Sequence, residues 1–202
     1  MHAGVIDLKV IGSRQGQTGI VTNGPCDCVQ ITNVWMTDCD GGGLLLNPVE
    51  GFTRESTIRD CYILRCGHPK NAAISIMQRE STKRIDGTNN IRFRDCSVVY
   101  SYGDSIRVVS ESTTEVVRGI YWSGGLIHGQ GLRGKCYSLL SVGGNVKSVN
   151  FAPDRLVGPG IDKTVPAVTY AGKANPPECS GCWHSDGDNF GAVDMRNIRT
   201  EG

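Results

Sequence analysis

Short runs in which apolar and polar residues alternate recur along most of the chain. Two examples are TIRDCYILRC and NIRFRDCSVV, where the alternation holds apart from one shift of phase within each run. This is the period of a β-strand, and the helical period is absent. Turns rich in Gly, Asn, Asp and Ser separate the runs too closely for helices of about ten residues or more, so the sequence predicts an all-β protein.

The runs also belong to a repeat. Four segments align under one another: TNVWMTDCDGGGLLL, IRDCYILRCGHPKNAAISI, FRDCSVVYSYGDSIRVV and YWSGGLIHGQGLRGKCYSLLSV. The residues that share one point of the repeating unit are 27 to 35 residues apart, and they are Asn33, Asp60, Asp95, Ser123 and Asn150. A repeat of this length predicts a right-handed parallel β-helix, a solenoid of about six coils in which each strand pairs with the coil above.

Cysteine positions follow the same register. Cys39 aligns with Cys66, and Cys61 aligns with Cys96. In a stack of parallel strands about 4.8 Å apart, aligned side chains form ladders, and small thiols suit an apolar core. We therefore expect these four cysteines to pack against one another in the interior rather than to bind a metal or to catalyse a reaction.

The repeat weakens in its last unit, where Pro153, Pro159 and Pro166 interrupt the apolar runs. We predict a β-helix over residues 1–171 and an irregular C-terminal extension over residues 172–202. An open solenoid end exposes unpaired backbone groups, so the extension is expected to act as a cap or as a contact between subunits.

Length and charge exclude several partners. The chain of 202 residues has the size of a single domain. Lys and Arg number 21 against 20 Asp and Glu, a net charge of +1 with no run of either sign. This balance gives no indication of a nucleic-acid or membrane partner.

The N-terminal sequence MHAGVIDLKV lacks the basic start and the long apolar run of a secretory signal. We therefore expect synthesis in the cytoplasm, where nine cysteines are better interpreted as buried thiols than as a disulfide framework. A particle that leaves the cell could still oxidise some of them, so their redox state stays open.

Three of the runs, VQITNVWMTDC, TIRDCYILRC and NIRFRDCSVVYSYGDSIRV, resemble coils of the pectate-lyase-like β-helix superfamily. Its members include pectate lyases, polysaccharide epimerases and bacteriophage tailspikes. The resemblance covers about Val5 to Ala171 and is one of pattern, with no invariant catalytic signature. Short variable loops and the stretch STTEVVRGIYWSGGLIHGQG are most similar to phage tail and virion proteins.

This resemblance implies a homotrimer that contacts other virion proteins and is located in the virion. Tailspikes carry a head-binding domain before the β-helix, whereas the first run here begins within a few residues of Met1. The chain is therefore expected to be either an excised β-helix or a short virion component attached by its own surface.

Carboxylates at one phase of the repeat are the candidates for catalysis. Glycan cleavage uses two carboxylates about 5 to 9.5 Å apart, and Asp60 and Asp95 share a phase on neighbouring coils. Asp38 and Asp40 on the neighbouring turn add two further carboxylates. Asp before a turn also commonly caps the backbone, so a purely structural role stays open.

A lyase of the pectate type, as the resemblance implies, uses an Arg or Lys base beside a Ca²⁺ ion held by Asp. Arg59, Arg94 and Arg107 lie near the acidic positions, although no spacing singles them out. Arg59 and Arg94 share a phase and are equally consistent with outward ion pairs, each contributing at most about 1 kcal/mol if exposed.

Aromatic side chains, where they are exposed, are candidates for stacking on the apolar faces of sugars. The candidates for carbohydrate binding are Trp35, Trp122, Trp183, Tyr100 and Tyr102. Trp35 stands between Val34 and Met36, and the position of the kink decides which of the three side chains faces inward.

The segment CSGCWHSDGDN places Cys179, Cys182 and His184 at a spacing found among metal ligands. A second ligand pair is missing, so we expect no metal site and no cofactor, and a CxxC disulfide or a bridge between chains fits better. Asp186 and Asp188 resemble the start of a calcium loop but lack its later oxygen ligands, which favours a plain Gly-Asp turn.

Two functions are consistent with these features. The first is a phage or virus-like structural protein, such as a tail spike, fibre or virion decoration element, that contacts host-surface polysaccharide. The second is a polysaccharide depolymerase, a hydrolase or lyase that uses acidic residues in a groove between coils or subunits. A secreted plant-polymer lyase is disfavoured by the absence of a signal sequence.

Overall fold

The computed structural model describes residues 3–46, 51–80, 87–128, 138–157, 168–171, 178–179 and 198–201. Within these ranges the chain forms nineteen β-strands and no helix, so the prediction of an all-β protein is confirmed. The same residues accordingly contain no helix that could span a membrane.

The strands follow one another at short intervals along the chain. They are β1 (Gly4–Ile11), β2 (Thr18–Thr22), β3 (Cys26–Asp27), β4 (Gln30–Thr37), β5 (Gly42–Leu46), β6 (Thr53–Arg59), β7 (Tyr62–Leu64), β8 (Ile74–Gln78), β9 (Asn89–Arg94), β10 (Ser97–Val99), β11 (Ile106–Ser110), β12 (Val117–Ser123), β13 (Leu126–His128), β14 (Leu140–Gly144), β15 (Val146–Ala152), β16 (Arg155–Val157), β17 (Val168–Ala171), β18 (Glu178–Cys179) and β19 (Ile198–Glu201).

These strands form two sheets. The larger has twelve strands in the order β16-β13-β10-β7-β4-β6-β9-β12-β15-β18, with β1 beside β4 and β3 beside β6. The smaller has seven strands in the order β19-β17-β14-β11-β8-β5-β2. From β6 to β17 the chain repeats a cycle of two strands in the larger sheet and one strand in the smaller sheet.

Every pairing between the described strands is parallel. The partners lie a whole unit apart in sequence, as when Thr18 pairs with Gly42 and Arg54 pairs with Asn89. The long strand β4 has two neighbours on one side, because its first half pairs with β6 and its second half pairs with β7.

Equivalent apolar residues of successive units stack in the interior. The first column contains Ile31, Ile58, Phe93, Trp122 and Phe151. The second contains Met36, Ile63, Val98, Ile127 and Leu156. The third, from the smaller sheet, contains Leu44, Ile74, Ile106, Leu140 and Val168. All of these side chains are at most 3% exposed and belong to one core. Burying a side chain of this size contributes about 1.5–3 kcal/mol, so these columns are the main source of stability.

Residues with left-handed backbone conformation also fall into columns. Among the described residues, twelve other than glycine have φ between 48° and 58°. By register, eleven of them form three columns: Asp7, Asn33, Asp60 and Asp95; Asp38, Arg65 and Tyr100; and Cys28, Glu55, Asn90 and Ser148. A strand ends or bulges at each of these positions, which lets the chain change direction. Asn and Asp adopt this conformation most readily, which accounts for the polar residue that recurs in the sequence.

Four cysteines each directly follow a left-handed residue. They are Cys39, Cys61, Cys66 and Cys96, and each thiol donates to the carbonyl oxygen two residues earlier at a sulfur–oxygen distance of 3.1 to 3.4 Å. By register, Cys39 lies beside Cys66 and Cys61 lies beside Cys96. All four are at most 2% exposed, so the predicted cysteine ladders are confirmed.

The predicted phase of the repeat is wrong in its later units. Ser123 pairs with Arg94, and Asn150 pairs with Tyr121. The residue beside Asp95 is therefore Gly124, which has φ of 71°. Glycine replaces the usual Asn or Asp at this turn, so an alignment by polar residues is displaced from this unit onward.

The segment expected to be a cap contributes to both sheets. Strand β18 pairs with β15, and strand β19 pairs with β17. These two short strands lie within residues 172–202, and the domain boundary at residue 171 stays a prediction.

Candidate functional site

The column formed by Asp7, Asn33, Asp60 and Asp95 is here called the aspartate column. It runs between two arms of the larger sheet, at the bend within β4 and at the turns that connect β6 to β7 and β9 to β10. The four side chains are exposed, and the Asn33 amide donates to Asp7 Oδ1 at 2.7 Å. The predicted shared phase of Asp60 and Asp95 is confirmed, because their neighbours Arg59 and Arg94 pair directly.

The carboxylates of Asp60 and Asp95 have no hydrogen-bond or ion-pair partner among the residues that the structure describes. Neighbouring strands lie about 4.8 Å apart, close to the separation of about 5 Å between the two carboxyl groups of retaining glycosidases. The two groups are thus free to accept hydrogen bonds from a ligand, and their spacing permits paired carboxylate chemistry.

Asp38 is engaged in an ion-pair network and is therefore not free for catalysis. Arg65 binds Asp38 through both carboxylate oxygens at 3.0 and 2.7 Å, and Arg14 binds Oδ1 at 3.0 and 2.6 Å. Partial burial raises the pKa of Asp38, but the hydrogen bonds from the two arginines outweigh it and hold the pKa below its usual value. Asp40 accepts a hydrogen bond from the Gly16 amide at 2.7 Å.

The candidate arginines differ in their surroundings. Arg59 donates to Thr32 Oγ1 at 3.3 Å, and the Arg94 guanidinium has no partner in the described part of the chain. Neither makes the ion pair with an outward acid that the sequence allowed. Arg107 pairs with Asp104 at 2.9 Å and also donates to the Lys70 carbonyl at 2.8 Å, so it has a structural role on the smaller sheet.

An aromatic pair, of which Trp35 is exposed and Tyr62 is half-buried, lies two residues beyond the aspartate column in sequence. Val34 and Met36 are buried, so Trp35 between them points outward and is 48% exposed. The Trp35 and Tyr62 rings have centroids 4.9 Å apart with an angle of 36° between their planes. Tyr62 was missed in the sequence, although the aligned segments place it one unit after Trp35, two residues after Asp60.

Trp122 does not fit a role in carbohydrate binding. It is 3% exposed and lies in the first interior column, stacked on Phe93 and next to Phe151. The expectation that Trp122 contacts sugar is wrong, because the alternation of inward and outward side chains along β12 turns its indole toward the core.

Tyr100 and Tyr102 lie on a different part of the surface from Trp35. Tyr100 is 39% exposed, and its ring lies 4.8 Å from that of His128. Burial lowers the pKa of His128, which favours its neutral form. The Tyr102 ring is covered on one face by the Arg14 guanidinium, 4.6 Å from its centroid, so it presents less surface to a ligand than Tyr100.

Metal binding finds no support in the described ranges, where no group of three or more His, Cys, Asp or Glu side chains is arranged to hold an ion. Cys182, Trp183, His184, Asp186 and Asp188 lie outside the described residues, and for Cys179 only the backbone of β18 is described.

Comparison with protein-family models, with curated proteins and with solved structures gave no match to this chain. The geometry of the aspartate column and its surroundings is therefore the basis for a function.

Proposed function

We propose that the chain folds as a right-handed parallel β-helix and serves as a structural element of a phage-like virion that contacts host-surface glycan. In this proposal the glycan lies against the Trp35–Tyr62 pair and its hydroxyl groups donate hydrogen bonds to the aspartate column.

Two observations support the architecture. All described strand pairings are parallel, and the chain visits the larger sheet twice and the smaller sheet once in each cycle. Crossover connections between parallel strands are right-handed in about 98% of cases. A stack of this kind buries its interior columns and leaves its outer faces free for binding.

The observation that carries the glycan proposal is the exposed Trp35, packed on the half-buried Tyr62, beside the carboxylates of Asp60 and Asp95, which have no partners among the described residues. An exposed aromatic face loses its contact with water when a sugar ring stacks on it, and carboxylates accept hydrogen bonds from sugar hydroxyls. Both groups sit on strands held in register on both sides, so the surface is formed before ligand arrives.

Strand β1 supports assembly of several copies. It pairs with β4 and lies at one end of the stack, where Ile6, Leu8 and Ile11 are large, apolar and exposed. An exposed apolar edge strand is normally covered by another chain. We propose that a homotrimer covers it, as in the virion proteins that the sequence resembles.

Glycan contact can be tested with bacterial capsule and lipopolysaccharide preparations immobilised on a surface. The variant Trp35→Ala should weaken binding about tenfold, since stacking contacts of this kind contribute on the order of 1 kcal/mol or more. The matched control is Val21→Ala, which removes an equally exposed apolar side chain from the smaller sheet. Equal binding by both variants would exclude this surface.

Assembly can be tested by light scattering. A mass three times the 21.7 kDa of one chain is expected, and Ile11→Asp should reduce it toward one chain. A single-chain mass for the unmodified protein would contradict the trimer.

A polysaccharide depolymerase is the second candidate, and the stacked carboxylates of Asp60 and Asp95 favour it. Incubation with the same polysaccharides would then release new reducing ends or unsaturated uronate. Asp60→Asn and Asp95→Asn should each abolish this release, whereas Glu111→Gln, an exposed carboxylate beyond β11, should not. Unchanged polymer length with the unmodified protein would exclude this candidate.

A further inference from the structure

Cationic side chains are concentrated on one outer face of the larger sheet, although the whole chain has a net charge of only +1. The face is formed by β6, β9, β12 and β15, and its cations are Arg59, Arg92, Arg94, Arg118 and Lys147. We call these five residues and Tyr121 the basic face. This concentration of positive charge cannot be recognised in the sequence, where these residues are spread over several units.

The cations of the basic face stand next to one another in register. Arg59 pairs with Arg94 across β6 and β9, and Arg118 pairs with Lys147 across β12 and β15. Like charges directly opposite each other on neighbouring strands are destabilising. A bound polyanion would relieve this repulsion.

Most of these cations are not neutralised by the protein. Arg94, Arg118 and Lys147 are exposed, and their side chains have no hydrogen-bond or ion-pair partner among the described residues. Arg92 lies 3.9 Å from Glu55, a carboxylate that also accepts a hydrogen bond from Asn90 at 2.5 Å.

Two further acids lie at the margin of the face. Asp60 and Asp95 each follow an arginine of the face, on the aspartate column. They limit how far an anion can extend toward Trp35.

An aromatic ring lies among the cations. Tyr121 pairs with Arg92 on one side and with Asn150 on the other, and it is 43% exposed. A sugar ring can stack on this side chain while carboxylate or sulfate groups meet the surrounding guanidinium groups, which bind such anions through paired hydrogen bonds.

We propose that the basic face binds an anionic polysaccharide, one that carries carboxylate or sulfate groups along its length. This inference rests on the proposed glycan-binding function and names the class of glycan. The chain of sugars runs across the strands, so that successive anionic groups meet the arginines of successive units.

The experiment compares dextran sulfate with dextran, two polymers that share a backbone and differ in charge. The unmodified protein should bind dextran sulfate and not dextran at low salt. Binding should weaken as salt is raised, since the Debye length falls from about 30 Å at 0.01 M to about 10 Å at 0.1 M.

The double variant Arg94→Gln, Arg118→Gln should bind dextran sulfate about tenfold more weakly, because removal of each charge-assisted hydrogen bond reduces affinity several-fold. The matched control is Lys70→Gln, Arg79→Gln, which removes the same charge from exposed residues flanking β8 of the smaller sheet. The control should bind as the unmodified protein does. The thermal midpoint of the test variant should be unchanged or higher, because a repulsion has been removed.

Equal weakening by both double variants would overturn the proposal, as would equal binding of dextran and dextran sulfate. Tighter binding of poly(dT) than of dextran sulfate would assign the face to nucleic acid instead. Capsule binding that depends on Trp35 but not on Arg94 and Arg118 would overturn this inference alone and leave the proposed function in place.

Discussion

The indole of Trp122 stacks on the ring of Phe93 one unit earlier, with centroids 4.8 Å apart and planes 14° from parallel. Its Nε1 donates to the Gly124 carbonyl at 3.0 Å, so its polar atom is satisfied at the turn that follows β12. The side chain thus joins two units of the core and fixes the turn between strands.

Replacing Trp122 should therefore affect folding rather than binding. Trp122→Ala is expected to reduce the free energy of unfolding by about 3–5 kcal/mol, because it leaves a cavity between Phe93 and Phe151. Urea unfolding followed by circular dichroism measures this. Trp35→Ala, at an exposed aromatic, should cost less than about 1 kcal/mol; a stable Trp122→Ala that lost only glycan binding would contradict its position in the core.

Gly125 should tolerate no side chain, because its backbone passes close to the preceding unit. A Cβ at this position would collide with the Cys96 carbonyl oxygen. Gly16 has the same φ of 75°, but a Cβ there would meet no atom within 4 Å. Gly16→Ala should cost about 1–2 kcal/mol for the left-handed backbone alone, and Gly125→Ala should cost about 1–3 kcal/mol more through overpacking.

The two glycine variants are compared by their urea midpoints. Equal destabilisation would mean that the neighbouring unit moves away without cost. A larger loss in Gly125→Ala would show that the packing between units is tight at this turn.

The repeat and its cysteine ladders could be predicted from sequence because equivalent side chains in neighbouring units share one environment. Cys61 and Cys96 are the same residue type at the same point of the repeat, and this match can be seen in the amino-acid sequence alone. The shift at Gly124 was missed because glycine satisfies the left-handed turn as well as Asp95 does, and it leaves no polar signal.

The site was less predictable, since it depends on which way side chains point. Trp35 and Trp122 both follow an apolar residue in an alternating run, yet the first is outward and the second is inward. The left-handed residues within β4 and β12 decide this, and their position is set by the neighbouring strands rather than by local sequence. The basic face could not be predicted from the sequence for the same reason, because its charged side chains come together only when the strands pair.

The thiols of the two ladders should be protected from alkylation in the native protein. The adjacent Cys66 thiol lowers the pKa of Cys39 to about 7, which favours a reactive thiolate. Burial nevertheless keeps reagents away from the thiols of both ladders, whereas Cys26 and Cys28 are partly exposed. Iodoacetamide labelling read by mass spectrometry should modify Cys26 and Cys28 first, and Cys39, Cys61, Cys66 and Cys96 only after unfolding; early labelling of Cys39 would show that this end of the stack opens readily.

The ion pairs of Asp38 should make stability depend on pH. Because the folded-state pKa of Asp38 is below its usual value, the charged carboxylate stabilises the fold at pH above the unfolded-state pKa of about 3.9. That contribution is lost as the pH falls through the lower, folded-state pKa. Asp38→Asn keeps a side chain that accepts left-handed φ, so it removes the charge without changing the turn.

At pH 7 we expect Asp38→Asn to be less stable than the unmodified protein by about 1–2 kcal/mol, since two partly exposed arginine pairs are broken and Arg14 and Arg65 then repel each other. The difference should shrink below about pH 4 and vanish at lower pH, because both proteins then carry a neutral side chain at this position. Asp60→Asn is the matched control at an equivalent left-handed turn without an ion pair, and it should stay within about 0.5 kcal/mol of the unmodified protein. Urea unfolding across this pH range would contradict the role of the network if the two Asn variants lost the same stability at pH 7.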